Sequence, residues 1–393
     1  MPSTPLPTLD LVYFDAGGGH RAAAEALHDT IAAQGRPWQV RLIDLVQVLD
    51  PQARFQRLTG LAPVELYNRR LRRGWTLGMT QELRVLQGLI RLWHEALTTR
   101  LARHWAATEP DLVVSLIPNF NRALAQSVGR ALPGVPFGTG MTDLADLPPH
   151  FWIEPGERQH VICGTPHAYT QGLAAGVPAR DLSLVSGMVL RPAFHVDVDS
   201  PVDRAAAFAA WGLDPARPAG AVMFGGQGSA TMRRIARALP EVQLIHLCGH
   251  NEALARQLRA MRRPAPQVAL GYTREVAQVL RTADFLIGKP GPGSLSEAVQ
   301  CGLPLITFRN AWTMPQERWN TEWVERQGLG LVLPSTRAIA PAVERLLAAL
   351  PAYRERVGGL RNRAASEVVT VLARQLEASR SPRPTALHEE VAG

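Results

Sequence analysis

The sequence predicts an α/β chain of two doubly wound domains that face one cleft. Three observations carry that prediction. Strand-like apolar runs alternate with helical patterns along most of the chain, which is the signature of a parallel sheet covered by helices. Two glycine-rich turns, about 270 residues apart, each lie where a strand runs into a helix. The length of 393 residues exceeds what one hydrophobic core usually serves.

In the first half, strands are expected at roughly 9 to 14, 39 to 44, 111 to 117, 135 to 141 and 160 to 163. Helices lie between them, including Ala22 to Ala33 and a long helical insertion at 51 to 107. The half closes near Gly187-Met188-Val189-Leu190-Arg191-Pro192. After a linker come strands Ala219 to Phe224, Gln243 to Cys248, Gln267 to Leu270, Ala283 to Ile287 and Leu303 to Phe308, then helices over 338 to 378. The predicted division is a first domain over 1–195, a second over 203–365, a terminal helix over 366–379 and a disordered tail over 380–393. No repeat of fixed period is present.

Composition narrows the class. With 46% hydrophobic and 19% charged residues the chain reads as globular. Neither a signal-peptide pattern nor an uninterrupted run of 18 apolar residues occurs, so the expectation is a cytoplasmic protein without a membrane span. Cys163, Cys248 and Cys301 are far apart and show no CxxC spacing, which fits a reducing compartment.

The basic balance is local. Residues 54 to 105 hold ten arginines and three acids, +7 of the formal +8, interleaved with Leu58, Leu61, Leu66, Tyr67, Leu71, Trp75, Leu86, Ile90, Trp93, Leu97, Leu101 and Trp105. Arginines beside apolar and aromatic positions suit a helix lying on an anionic bilayer; a core helix pair with an Arg-rich outer face fits the same spacing. No nucleic-acid recognition motif accompanies them. Lys289 is the only lysine in the chain, and it stands beside the second glycine turn.

A glycine turn at a helix start leaves backbone N–H groups unpaired, and with the helix dipole these attract phosphate. The first turn is Asp15-Ala16-Gly17-Gly18-Gly19-His20-Arg21-Ala22 and the second is Gly288-Lys289-Pro290-Gly291-Pro292-Gly293-Ser294-Leu295-Ser296-Glu297. Gly17, Gly19 and Ala22 also satisfy GxGxxA, with Asp44 ending the next strand, as in an NAD site. That reading leaves His20, the second turn and the acids after it without a role.

The string Asp15 to Ala26 resembles the opening of the monogalactosyldiacylglycerol synthases and the bacterial processive diacylglycerol glucosyltransferases. Further matching pieces follow in order: Met141-Thr142-Asp143-Leu144 with His150 and Trp152, Gly187 to Pro192, Phe224-Gly225-Gly226-Gln227-Gly228, Cys248-Gly249-His250-Asn251, Gly271-Tyr272-Thr273, Gly288 to Glu297, Gly302-Leu303-Pro304, and Gln316-Glu317-Arg318-Trp319-Asn320. The resemblance spans roughly residues 10 to 375. It implies the GT-B glycosyltransferase fold, two facing Rossmann-like domains with an interdomain cleft, shared with the lipid II-forming GlcNAc transferase.

It further implies transfer of a hexose, glucose or galactose, from a UDP-sugar to a lipid hydroxyl such as that of diacylglycerol. No metal or other cofactor is expected. On the same scaffold a UDP-GlcNAc-using transferase, an epimerase, or a non-catalytic basic binding protein remain alternatives. Donor-side candidates are Gly225, Gly226, Gln227, Gly249, Tyr272, Thr273, Val276, Lys289, Gly291, Pro292, Gly293, Ser294, Glu297, Gln316, Glu317 and Asn320. Amides at Gly291 to Ser294, the helix dipole and Lys289 would neutralise the departing diphosphate; Glu297 would accept from ribose hydroxyls; Gln316, Glu317 and Asn320 would hold the sugar.

His20 is the candidate general base, with Asp143 as its orienter or its substitute. Gly18, Gly19, His150 and Trp152 are acceptor-side candidates. The partners implied are a UDP-sugar, a lipid acceptor and an anionic membrane surface on the cytoplasmic face. The segment Leu144 to Trp152 departs from the compact His-Pro-x-Trp spacing of the family, and this puts the acceptor in question. Two metal-like patterns, Asp197-Val198-Asp199 and the alternating His246, Cys248 and His250, are read as a solvated linker and a tight turn.

Overall fold

The computed structural model describes residues 5–14, 19–50, 79–195 and 202–380. In chain order the first half holds β1 (Thr8–Tyr13), α1 (Gly19–Ala33), β2 (Gln39–Asp44), α2 (Leu45–Leu49), α3 (Met79–Leu92), α4 (His94–Thr108), β3 (Leu112–Ser115), α5 (Asn121–Ala131), β4 (Phe137–Gly140), β5 (His160–Cys163), α6 (Pro166–Ala174) and β6 (Leu182–Leu184). The second holds α7 (Arg204–Trp211), β7 (Ala219–Met223), α8 (Thr231–Ala238), β8 (Gln243–Leu247), α9 (Glu252–Arg259), β9 (Gln267–Leu270), α10 (Val276–Thr282), β10 (Phe285–Gly288), α11 (Pro292–Gln300), β11 (Leu305–Phe308), α12 (Arg318–Arg326), β12 (Gly330–Leu333), α13 (Ile339–Ala348), α14 (Leu350–Gly358) and α15 (Ala364–Arg380).

Both sheets have six parallel strands, ordered β2-β1-β3-β4-β5-β6 and β12-β11-β10-β7-β8-β9. Their inner strands are covered on both faces, so they read as continuous apolar runs such as Leu-Val-Val-Ser in β3, all buried. In each sheet the winding reverses beside the first strand, between β1 and β3 and between β7 and β10. Open parallel sheets bind ligands outside the carboxyl ends of the strands at such a reversal. The loops there carry His20 and Leu116 in one half, and Gly225 to Gly228 and Lys289 to Gly291 in the other.

Two strands go beyond the sequence expectation. β6 has three residues and β12 begins in Gly-Leu-Val-Leu, and neither gives a long apolar signal; register against β5 and β11 defines them. α1 begins at Gly19, three residues before the predicted Ala22, so His20 sits inside the first helical turn. α15 packs Val368, Val369, Leu372 and Leu376 against Leu9, Leu11, Ala23 and Leu27, and so returns the chain to the first half.

The Arg-rich window divides between two environments. In α4, Leu101 and Trp105 are fully buried against the first sheet, with the Trp105 indole donating to Ser127 Oγ at 2.9 Å. In α3 and just after it, Val85, Leu86, Leu89, Leu92 and Trp93 are exposed, Leu92 at 75% and Trp93 at 64%. The part from 51 to 78, the predicted tail beyond Arg380, Gly17 and Gly18, and Asp197 to Asp199 lie outside the described residues.

Candidate active site

His20 is held in the first lobe by the loop after β4. Its Nδ1 lies 3.0 Å from Thr142 Oγ1, and its ring lies 6.0 Å from that of Trp152. Burial pushes the imidazole down to about 4, with the Leu116 carbonyl opposing. The ring is therefore neutral at pH 7 and has lone-pair capacity. Thr142, rather than Asp143, is the side chain that sets its orientation.

Asp143 accepts from the Trp152 indole N–H at 2.9 Å. Burial raises its carboxyl to about 7; the Trp152 bond and Lys289 pull it down, while Glu317 and Asp146 push it up. Lys289 and Glu317 belong to the other lobe, so Asp143 faces them across the cleft. Beside it, Leu144 and Ala145 share one apolar cluster with Leu295 and Trp319. The two lobes thus meet at the catalytic candidates.

The acceptor-side expectations separate. Trp152 is fully buried, which corrects its expected contact with an acceptor: its indole is committed to Asp143. His150 is exposed, has φ of 62°, and lines a cleft of about 290 Å³ with Gln87, Asn119, Arg122 and Glu154. Gly19 is the exposed first residue of α1.

In the second lobe the first two loops are locked together. Gly249 has φ of 57°, and a Cβ there would stand 2.1 Å from the Gly226 carbonyl oxygen, so only glycine fits. That carbonyl accepts the His250 N–H at 2.9 Å, and Asn251 Nδ2 donates to the Gln227 carbonyl at 3.2 Å. Gly225, at φ of 72°, turns β7 toward Lys289. Tyr272, 59% exposed, stacks on His250 at 4.3 Å and presents an aromatic face. Thr273 Oγ1 accepts the Glu275 N–H at 3.0 Å just before Val276 opens α10.

The second glycine turn runs into α11 with Gly291 at the N-cap and Pro292 as first helical residue, a position where a missing N–H costs nothing. Helical geometry leaves the Gly293 and Ser294 amides without intrahelical acceptors. Lys289 Nζ donates to buried Glu317 Oε1 at 2.6 Å, which fixes both at the turn. One turn into α11, Glu297 is partly buried; burial raises its carboxyl to about 7 and Arg191 opposes that. Gln316 Nε2 stands 3.7 Å from Met314 Sδ. Asn320 is fully buried and donates to the Pro290 carbonyl at 2.8 Å, so it braces the second glycine turn where a sugar contact was expected.

A model of the glycosyltransferase family 28 C-terminal domain matches residues 222–358. Over 360 residues the chain is 28% identical to a probable chloroplastic monogalactosyldiacylglycerol synthase of Nicotiana tabacum, covering 87% of this chain and 64% of that protein. The chloroplastic monogalactosyldiacylglycerol synthase of Spinacia oleracea is also 28% identical over 360 residues, with 87% and 66% covered. Among solved structures, the calicheamicin glycosyltransferase CalG4 aligns at a TM-score of 0.63 with 16% identity, over 96% of this chain and 100% of that one. MurG of Acinetobacter baumannii aligns at 0.55 with 14% identity, over 94% and 99%.

The chain has the GT-B fold, is similar to the monogalactosyldiacylglycerol synthases, and spans a little under two thirds of the length of the first of them.

Three residues that position the candidate site escaped the sequence reading. Thr142 contacts His20, and Arg191 stands near Glu297; both lay inside quoted motifs without an assigned task. Asp146 accepts the backbone N–H groups of His150, Phe151 and Trp152 at 3.1, 3.0 and 2.7 Å and so shapes the loop that delivers Trp152 to Asp143. An aspartate ahead of Pro148-Pro149 was the available signal, since Asp side chains fold turns by capturing nearby amides. His246 bonds to Gln267 while His250 stacks on Tyr272, so the alternating trio is not gathered. Among the described residues, no group of three or more His, Cys, Asp and Glu could hold a metal ion.

Proposed function

We propose that this protein is a glycosyltransferase that moves a hexose, glucose or galactose, from a UDP-sugar to the hydroxyl of a membrane lipid such as diacylglycerol. The observation that carries the reading is the approach of Asp143 in one lobe to the Lys289–Glu317 pair of the other, with His20 one residue contact away through Thr142. In the proposed reaction the lipid oxygen attacks the anomeric carbon as His20 takes its proton. The bond from that carbon to the UDP oxygen breaks, and UDP leaves with the electron pair. Amides of Gly293 and Ser294, the α11 dipole and Lys289 meet the departing charge, which is why no resident metal or cofactor enters the proposal.

Glu297 is assigned the ribose hydroxyls, the Tyr272–His250 stack the base, and Gln316 with Glu317 the sugar. The names of the curated relatives, monogalactosyldiacylglycerol synthases, support a lipid acceptor. No described helix is long and apolar enough to cross a membrane. Contact with the bilayer is assigned instead to the exposed α3 face, Val85, Leu86, Leu89, Leu92 and Trp93, flanked by Arg84 and Arg91, in a peripheral protein of the cytoplasmic membrane face.

Incubating the protein with labelled UDP-galactose, UDP-glucose or UDP-GlcNAc and diacylglycerol vesicles is expected to yield a lipid-linked hexose. Lack of any lipid product with all three donors overturns the reading. The double variant Leu89→Asp with Trp93→Asp is expected to lose about tenfold or more of its co-sedimentation with anionic vesicles, as two buried apolar side chains contribute about 1.5–3 kcal/mol each. Equal binding by variant and parent removes α3 as the membrane face.

A further inference from the structure

The two lobes touch through an aromatic stack that none of the assigned substrate contacts uses. His167, in the first turn of α6, lies flat on Trp319 in the first turn of α12, with ring centroids 4.5 Å apart and planes 7° from parallel. Each ring is anchored to one side of the reaction centre. On the acceptor side, Thr165 caps α6 by accepting the Ala168 N–H at 3.1 Å, and its hydroxyl donates to the Leu144 carbonyl at 2.6 Å, one residue past Asp143. On the donor side, Trp319 follows Glu317 by two residues and precedes Asn320, whose amide holds the Pro290 carbonyl.

The stack is therefore a side-chain bridge, beside the apolar contact of Leu144 and Ala145, between the loop that carries Asp143 and the turn that carries Lys289 and Glu317. Elsewhere the lobes are tied near the chain crossing, where Asn362 Nδ2 donates to the Met188 carbonyl at 2.8 Å and the Arg363 N–H to Ser186 Oγ at 2.7 Å. A contact beside the reacting groups fixes how far the lobes close.

We propose that His167 is a positioning residue for glycosyl transfer, setting the separation of Asp143 from the Lys289–Glu317 pair through its stack on Trp319. This rests on the transfer reading above. Burial holds the imidazole below its usual pKa, and nearby Arg326 acts in the same direction while Glu322 opposes, so the stacking ring is the neutral one at pH 7. Neutral aromatic faces stack without needing a charge, so a phenyl ring is a fair substitute.

His167→Ala is expected to lower kcat by about 10- to 100-fold, since small misplacement of reacting groups is costly. KM for the UDP-sugar should stay within about twofold, because the donor contacts lie wholly in one lobe. His167→Phe should restore kcat to within about threefold of the parent. Hydrogen exchange at residues 142–146 and 315–320 should accelerate in His167→Ala and return to the parent rate in His167→Phe. A parental kcat in His167→Ala, or an effect on KM alone, overturns the proposal. If the parent transfers no sugar, the transfer reading fails by itself, and unchanged exchange in His167→Ala then also overturns the stack as a bridge between lobes.

Discussion

His20→Ala is expected to reduce kcat for transfer by about 10²- to 10⁴-fold, the range that a positioned general base supplies, with UDP affinity left within about twofold. The separation of effects follows from location. His20 belongs to α1 and contacts Thr142, whereas the second glycine turn, Tyr272 and Glu297 all belong to the other lobe. Single-turnover transfer and UDP titration measure the two quantities on one preparation, and full activity in the variant removes His20 as the base.

A stability test of the same residue is independent of activity. The folded His20 sits at about 4 and the unfolded one near 6.5, so the unfolded chain binds the proton more readily. Its contribution is intact above pH 6.5 and is lost as pH falls toward 4. Thermal unfolding of the parent should therefore decline over that window, and His20→Ala should decline less. The low value also means that His20 stays unprotonated through neutral pH. Any acid limb of the rate near pH 7 then belongs to Asp143 or Glu297, both raised to about 7 by burial.

The fold was legible because both glycine turns and most strands announce themselves locally. β3 and β10 are apolar runs with breakers on either side, and α11 carries its Gly-Pro start in the sequence. β6 and β12 were not legible, being short strands at the sheet edges and defined by partners distant in the chain. The return of α15 to the first half was hidden for a related reason. Its stripe of Val368, Val369, Leu372 and Leu376 says that one face is buried without saying against what.

At the site, residue identity was readable and orientation was not. Trp152 and Asn320 both fell in motifs that carry the resemblance, yet their side chains point inward to Asp143 and to the Pro290 carbonyl. Each is a support for a group that faces the cleft. Sequence spacing cannot tell a support from the residue it supports, because both are placed by the same loop. Of the three residues that were missed, Thr142 and Arg191 act across gaps in the chain, as with the 122-residue separation of His20 and Thr142, whereas Asp146 acts locally on the loop that follows it.

Glu297→Gln should weaken UDP-sugar binding by about 10- to 100-fold, the size expected when a charge-assisted hydrogen bond worth about 1.5–3 kcal/mol is lost. The free carboxyl sits near 7, and only its ionised form offers both oxygens as acceptors to two ribose hydroxyls. UDP-glucose, whose phosphates do not titrate near neutrality, should therefore bind more tightly as pH rises from 6 to 8, and the Gln variant should show a flat profile. The sign for stability is the opposite. The unfolded carboxyl titrates near 4.5 and the folded one near 7, so the parent is most favoured below pH 4.5 and loses that contribution as pH rises to 7. Without ligand at pH 8, Glu297→Gln should melt at a higher temperature than the parent, because it removes a buried charge. A variant that is both more stable when empty and poorer at holding the donor would identify Glu297 as a group kept for binding at a cost to the fold. Unchanged affinity with a pH slope like the parent's would remove the ribose assignment and leave Glu297 as a structural residue under the influence of Arg191.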